Sequence, residues 1–317
     1  MDTENWTKII IRSILCLAGI IGNNWLCICS LPKSVSQLKT NDLLFVNLAV
    51  SNLITSYTVD IFNIFDIDHY LPVETPVVYC GFRFFLPEFS ETSSILTTMF
   101  ITMYWHQKLV GSLKRGGAPV QMDNLQFTAA LLTGSWTFAL VINIPRFFLV
   151  AKGNENVTTT VDCKEELPSQ EADQAYKVVY VMLANAIPLA GILYASIQIA
   201  NTLLQNENRM KKMGAEVSNE GNTSTEKSGD NSNNTSTVTK SKSQAKSGSL
   251  VRAAKSVLAV AIFFLICWAI HIIVSILEPI FTSSALEDIE SFVGASYTCI
   301  IPYIYLYGVQ KLTCSRH

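Results

Sequence analysis

Seven long apolar runs constrain this chain more than anything else in it. Crossing the hydrocarbon core of a bilayer takes about 20 mainly apolar residues in helical form, and stretches near 8–31, 42–66, 77–106, 125–150, 175–204, 251–278 and 286–309 approach that description. The third is the most interrupted, by Arg83, Pro87, Glu88 and Glu91, and by hydropathy alone a buried helix or two short segments would also fit it. Only 15% of the 317 residues are charged, against about 25% in ordinary soluble domains, and the mean hydropathy is +0.30. The expected fold is an all-α membrane protein, a bundle of seven transmembrane helices. The first run is too long for a cleaved signal peptide and lacks a small-residue cleavage site, so it is read as a signal anchor.

Charge distribution sets the expected orientation. The connections assigned to the cytoplasm hold 16 of the 23 lysines and arginines, nine of them between Arg209 and Lys255, whereas the connections at 67–76 and 279–290 hold none. Basic loops stay inside, which predicts a multi-pass plasma-membrane protein with its amino terminus extracellular. The expected divisions are a short outer terminus at 1–7, helices one to five with their loops at 8–205, a third inner loop at 206–249, helices six and seven at 250–309, and a short inner tail at 310–317. The net charge of −2 offers no basic field for nucleic acid. Residues 206–249 contain almost no apolar side chains, so they are expected to be a disordered tether.

Two features bear on this orientation. Asn5 (NWT) and Asn156 (NVT) are glycosylation acceptors on the side assigned to the exterior. Cys80 opens the third segment and Cys163 lies in the second outer loop, in the compartment where disulfides persist; these two are expected to pair.

Polar side chains inside apolar helices point to function, because a charge facing lipid costs about 2.5 kcal/mol or more. Asn52, Ser56, Asp60 and Asn63 recur along one face of the second segment. Glu88 and Glu91 lie one turn apart on the third, with Ser94 and Thr98 below, and Trp268, His271, Ser275 and Glu278 share a face of the sixth. These faces are expected to turn inward on a ligand pocket near the outer half of the membrane, with Arg83 as a cationic partner for the paired glutamates. Interhelical hydrogen bonding alone is the competing explanation and, for His271, an equal one. Acidic groups outnumber Arg83, Arg146 and His271, which favours a cationic or amphiphilic ligand. No catalytic, metal or cofactor site is expected: the four histidines, at 69, 106, 271 and 317, share no ligand spacing, and neither HExxH nor GxSxG occurs. A secondary transporter would also bury acids, but the chain shows no internal repeat.

Scattered motifs in every segment carry a resemblance: Gly22–Asn23; NLAVSN at 47–52; Cys80; Trp136; Pro188; Cys267–Trp268; and IPYIY at 301–305. In this order they resemble the rhodopsin-like G-protein-coupled receptors. The departures narrow the likeness. Asn52 stands where most such receptors have aspartate, YWHQKL at 104–109 replaces Asp-Arg-Tyr, Ala269 and Ile270 follow Trp268 without a proline, and Ile301 replaces asparagine. With DLLFVNLAVSN at 42–52, Thr97–Thr98 and Asn156, the pattern is similar to vomeronasal type 1 receptors and the fish olfactory receptors related to class A, with bitter-taste receptors as the nearest alternative. The resemblance implies an odorant or pheromone as ligand and a heterotrimeric G protein as partner, met by Tyr104, Trp105, His106, Gln107, Lys108 and Tyr305. Trp105 could equally sit in the interfacial aromatic belt. It also implies that Asn52 cannot hold a sodium ion as an aspartate would, that no arginine latch forms at the base of the third helix, and that Trp268 reports occupancy.

Overall fold

The computed structural model describes residues 3–61, 64, 77–113, 120–152, 163–165, 169–220, 234–277 and 284–308. Seven helical rods account for most of them. They are α1 (Thr3–Ser30), α2 (Thr40–Thr55, continued by a π-helical turn Ser56–Asp60), α3 (Val77–Leu113) and α4 (Leu125–Phe148). The fifth rod, α5, comprises Gln170–Tyr180, a π-helical turn Val181–Ala186 and Ile187–Glu220. Then come α6 (Asn234–Leu277) and α7 (Ser284–Gly308).

Five of these rods contain described spans long and apolar enough to cross a membrane: Trp6–Ser30, Thr40–Asp60, Leu125–Phe148, Gln174–Lys212 and Gly248–Val274. α3 and α7 fall short by composition, and both are lined with polar groups that face inward. Outward, the surface is oily. Ile14, Leu17, Ile21, Val141, Phe148 and Val178 are each more than half exposed, an apolar skin that lipid covers at no cost and water would not tolerate. The core is correspondingly polar, with Asn23, Asn52, Thr92, Thr97, Thr98 and Thr102 fully buried.

α3 is the central rod. It packs against α2, α4, α5 and α6, while α1 closes the ring between α2 and α7. α1 and α7 approach closely at Gly22, where a Cβ would lie 2.8 Å from the Tyr303 ring and 2.9 Å from Pro302. Only a residue without a side chain fits that seam.

Local chemistry explains where the rods start and bend. The Asn124 side chain caps α4 by accepting from the amides of Gln126 at 3.0 Å and Phe127 at 3.3 Å, and Ser169 caps α5 through the amide of Ala172 at 3.2 Å. The π turn in α5 ends just before Pro188, which has no N–H to donate to the carbonyl of Ala184 and whose ring would crowd it. A wider turn at 181–186 absorbs that defect.

Two differences from the sequence-based expectations concern loops. A short antiparallel pair, β1 (Val150–Lys152) with β2 (Cys163–Glu165), stands among the helices with Lys152 opposite Cys163, and the Cys80–Cys163 disulfide pins it to the start of α3 with Cα atoms 5.5 Å apart. Of the tether expected to be disordered, residues 206–220 and 234–249 are helical, as extensions of α5 and α6. A helix already nucleated in the bundle adds one hydrogen bond per further residue without a new nucleation cost, so polar composition alone does not end it. Residues 221–233 lie outside the described residues.

Candidate functional site

A cavity of about 360 Å³ opens among α2, α3, α6 and α7. Asp60 and Thr55 of α2 and Glu91 of α3 contribute its polar wall, Phe264, Trp268 and His271 of α6 its aromatic wall, and Asn52, Ser94 and Tyr297 its base. Trp268 meets the His271 ring edge to face, with centroids 4.9 Å apart, and Phe264 meets Tyr297 at 5.1 Å. Polar and aromatic groups thus converge from four helices that are far apart in sequence.

Beneath the cavity lies a continuous set of hydrogen bonds. Ser94 donates to Asn52 Oδ1 at 2.9 Å, and Asn52 donates to Asn23 Oδ1 at 3.1 Å. Asn23 in turn donates to the carbonyl of Thr298 at 2.9 Å. The Tyr297 hydroxyl lies 2.8 Å from Ser94 Oγ and 3.0 Å from Thr98 Oγ1. Amides and hydroxyls of α1, α2, α3 and α7 are therefore joined without a formal charge, which is how the neutral Asn52 is accommodated. Tyr297 was not singled out from the sequence; its position one turn before the IPYIY motif, beside Thr298, is the signal that could have found it.

The residues expected around a pocket separate into two groups. Asp60, Glu91, Trp268 and His271 all line the cavity. Glu88 faces another way: its carboxylate lies 3.4 Å from Arg146 of α4 and accepts from the Tyr180 hydroxyl of α5. Arg146 also sits over the Tyr176 and Tyr180 rings, at 5.7 and 5.5 Å. The cationic partner of Glu88 is thus Arg146 in place of the expected Arg83, which is half-buried on α3 and not among the cavity-lining residues. α3 turns about 100° per residue, so three residues do not close a full turn, and Glu88 points toward the α4–α5 side while Glu91 points toward α2 and α7. Ser275 belongs to α6, but its side chain lies outside the described residues, as do Glu278, Asn63 and Asn156 and the side chain of Asn5.

The polar stripe on α2 is also redistributed. Ser56 is fully buried but absent from the cavity wall, and its carbonyl accepts from Cys16 Sγ of α1 at 3.9 Å. A π turn holds more than 3.6 residues, so the four-residue spacing no longer keeps Asn52, Ser56 and Asp60 on one line. Thr55 and Val59 occupy the cavity wall beside Asp60 instead.

At the far end of the bundle from the disulfide, the YWHQKL motif is largely internal. Tyr104 is 1% and Trp105 7% exposed; both join the apolar core, so the Trp105 ring faces into the bundle and not onto its outer surface. The Tyr104 hydroxyl donates to Asp123 Oδ1 at 3.1 Å, in the short helix Gln121–Asp123 that precedes α4. Lys108 reaches both Tyr104 and Asp123, the latter at 3.2 Å. His106 meets the Tyr194 ring at 6.2 Å and Gln107 is half-buried, while Tyr305 is fully buried with its ring centroid 4.8 Å from that of Phe45. On the other side of this end, Lys255 of α6 and Glu207 of α5 pair at 2.9 Å. Higher in the bundle, Trp136 donates to Asn47 Oδ1 at 2.6 Å and Asn47 to Thr97 at 2.5 Å, tying α4, α2 and α3 together.

Among the described residues no group of three or more histidine, cysteine, aspartate or glutamate side chains could hold a metal ion. No curated protein matches the chain. Residues 23–305 match the family model described as 7 transmembrane receptor (rhodopsin family).

Proposed function

The chain belongs to the rhodopsin family of seven-transmembrane receptors, a family of signalling receptors and not of enzymes, and we propose that this member is a chemosensory receptor for a small odorant or pheromone. The observation that carries the reading is the mixed polar and aromatic cavity between α2, α3, α6 and α7, whose volume of about 360 Å³ falls in the range of small-molecule sites. Its resemblance to vomeronasal type 1 receptors and their fish counterparts, through DLLFVNLAVSN, YWHQKL and the proline-free sixth helix, supports the chemosensory assignment. On this reading the receptor sits in the plasma membrane with the disulfide-bearing end outside, glycosylated at Asn5 and Asn156.

The mechanism is a shift of population. A ligand seated against Trp268 and His271 stabilises the arrangement in which the inner end of α6 stands away from α5, and its differential affinity for the two arrangements limits the response. The residues around it divide the work: Asp60, Glu91 and His271 recognise polar groups of the ligand, Ser275 and Glu278 extend the same α6 face, and Glu88 with Arg146 and Arg83 shape the outer wall. Trp268 and Phe264 pass the change to Tyr297 and its hydrogen-bonded base. At the inner end, opening frees Tyr104, Lys108 and neighbouring Trp105, His106 and Gln107 for the G protein, with Tyr305 repacking beneath them.

The test is a panel of water-borne odorants applied to cells expressing the protein with a promiscuous G protein. Ligand-evoked signalling that disappears on Trp268→Ala, with surface expression retained, is expected. A receptor that answers only a circulating hormone or peptide would overturn the chemosensory assignment.

A further inference from the structure

We infer that the inner ends of α5 and α6 form a docking surface for a multiply phosphorylated lipid headgroup of the inner leaflet, held by Lys211, Lys212, Arg252 and Lys255. This rests on the orientation given above, with the disulfide-bearing end outside, and adds a partner distinct from the cavity's ligand. The exposed side chains of α6 recur at 252, 255, 259, 262, 266, 269 and 273, steps of three and four that trace one face of a helix. From Ala259 to Ile273 that face is alanine and isoleucine, the part that lipid covers; Arg252 and Lys255 continue it inward. On α5 the exposed line runs through 183, 187, 190, 194, 197, 201, 204 and 208 and ends on Lys211 and Lys212. The apolar spans Gln174–Lys212 and Gly248–Val274 finish at this same level. Both lipid-facing stripes therefore terminate in cations.

The two stripes meet. Glu207 and Lys255 pair at 2.9 Å across α5 and α6 with both side chains about half exposed, so the contact lies on the outer seam between the rods. Lys211 acts on the same carboxylate electrostatically, while Lys212 and Arg252 make no ion pair among the described residues. At 1.5 Å of rise per residue, all four cations stand within about 8 Å of the Glu207–Lys255 contact along the helix axes. Four positive charges thus gather around one carboxylate. Further inward the rods carry Glu216 and Glu220 against Lys240, Lys242 and Lys246, so the balance does not reverse. A phosphodiester with one charge would leave most of this cluster unmatched, whereas several phosphates on one ring answer it. Lysine and arginine stems lie along apolar surface and lift their charges to the headgroup layer, and about four to eight such residues beside a membrane-spanning helix attract polyanionic lipid. The G protein is expected at Tyr104 and its neighbours inside the bundle; these cations continue the outer faces, which favours lipid as their partner.

The experiment counts lipids retained by the full chain, by native mass spectrometry, after release from micelles holding equal amounts of phosphatidylcholine, phosphatidylserine and phosphatidylinositol bisphosphate, with soluble inositol trisphosphate in a separate arm. The bisphosphate is expected to be retained in preference to the other two. Lys211→Gln, Lys212→Gln and Arg252→Gln are each expected to weaken its binding about fivefold, and the quadruple variant with Lys255→Gln to abolish the preference. Lys211→Arg with Lys212→Arg keeps the charge and is expected to retain the lipid, as is Lys33→Gln with Lys39→Gln on the connection between α1 and α2. Equal retention of the three lipids, indifference to the quadruple change, or an equal loss in the Lys33 and Lys39 variant would overturn the site. Inositol trisphosphate bound as tightly as the lipid would make a soluble anion the partner, and loss of G-protein activation in the quadruple variant with lipid retention intact would make it a protein; either overturns the lipid assignment. An epitope inserted between Gly221 and Asn222 and recognised on intact cells would overturn the orientation itself, whatever the lipid binding.

Discussion

Tyr104 at the base of α3 donates its hydroxyl hydrogen to Asp123 Oδ1 at 3.1 Å, and Lys108, one turn further on, closes on the same oxygen at 3.2 Å. This chain thereby ties α3 to the short helix before α4. While the tie holds, Tyr104 is turned into the protein. Lys108 and Asp123 side chains are 36% and 48% exposed, so screening by solvent limits the pair to about 1 kcal/mol. Asp123→Asn is therefore expected to raise ligand-independent signalling by a few-fold, measured as basal G-protein activation normalised to surface receptor. Unchanged or lower basal signalling would show that the tie does not restrain the resting form.

Arg146 and Glu88 form the second ion pair with a definite test. Their side chains are 16% and 26% exposed, within rods that pack at membrane depth. Removing one partner leaves a charge whose insertion costs about 2.5–3.5 kcal/mol. Arg146→Gln is expected to reduce surface expression strongly, and the double variant Arg146→Gln with Glu88→Gln to recover much of it. No recovery would mean that Arg146 acts through its stacking on Tyr176 and Tyr180 and not through charge.

The seam between α1 and α7 tests packing alone. A methyl group at position 22 would press on the Tyr303 ring, which is itself tethered by its hydroxyl to the carbonyl of Ala18 at 2.8 Å. Gly22→Ala is expected to lower stability by about 1–3 kcal/mol, read as the thermal midpoint of purified protein, and Tyr303→Ala in the same chain to relieve part of the clash, Pro302 remaining 2.9 Å from the added methyl. A neutral single variant would contradict the close approach.

Trp136 and Asn47 supply a polar contact between α4 and α2. Interhelical hydrogen bonds in membranes are worth about 0.6 kcal/mol on average and about 1.7 at most. Trp136→Phe, which keeps the ring contact with Phe89 at 5.3 Å but loses the N–H, should fall in that range by thermal unfolding. A larger loss would assign the role to packing.

The disulfide closes a stretch of 83 residues between Cys80 and Cys163. Loss of such a link costs about 2–5 kcal/mol. Cys80→Ser and Cys163→Ser are expected to reduce surface delivery equally, and the double variant no further.

Apolar runs marked all seven rods, but composition over about 20 residues is sufficient for only five of them among the described residues, and α3 and α7 are more polar. Spacing also brought Asp60, Glu91, Trp268 and His271 into one proposal, since side chains three or four apart share a helix face. What it could not supply is azimuth across a defect. The π turn at Ser56–Asp60 sends Ser56 toward α1, and nothing in SYTVD announces that turn. Partner choice between distant helices was equally hidden: Arg83 is near Glu88 in sequence, but Arg146 reaches it in space. The burial of Trp105 belongs to the same class, for a tryptophan near a helix end reads as an interfacial residue until the neighbouring helices close over it.

The chain of amides and hydroxyls from Asn23 through Asn52 and Ser94 to Tyr297 has one last implication. Dissolved ions act on proteins mainly through formal charges, by pairing with them or screening them, and this spine presents none. Salt is therefore expected to act on the resting form through the exposed Lys108–Asp123 pair and to leave this spine untouched.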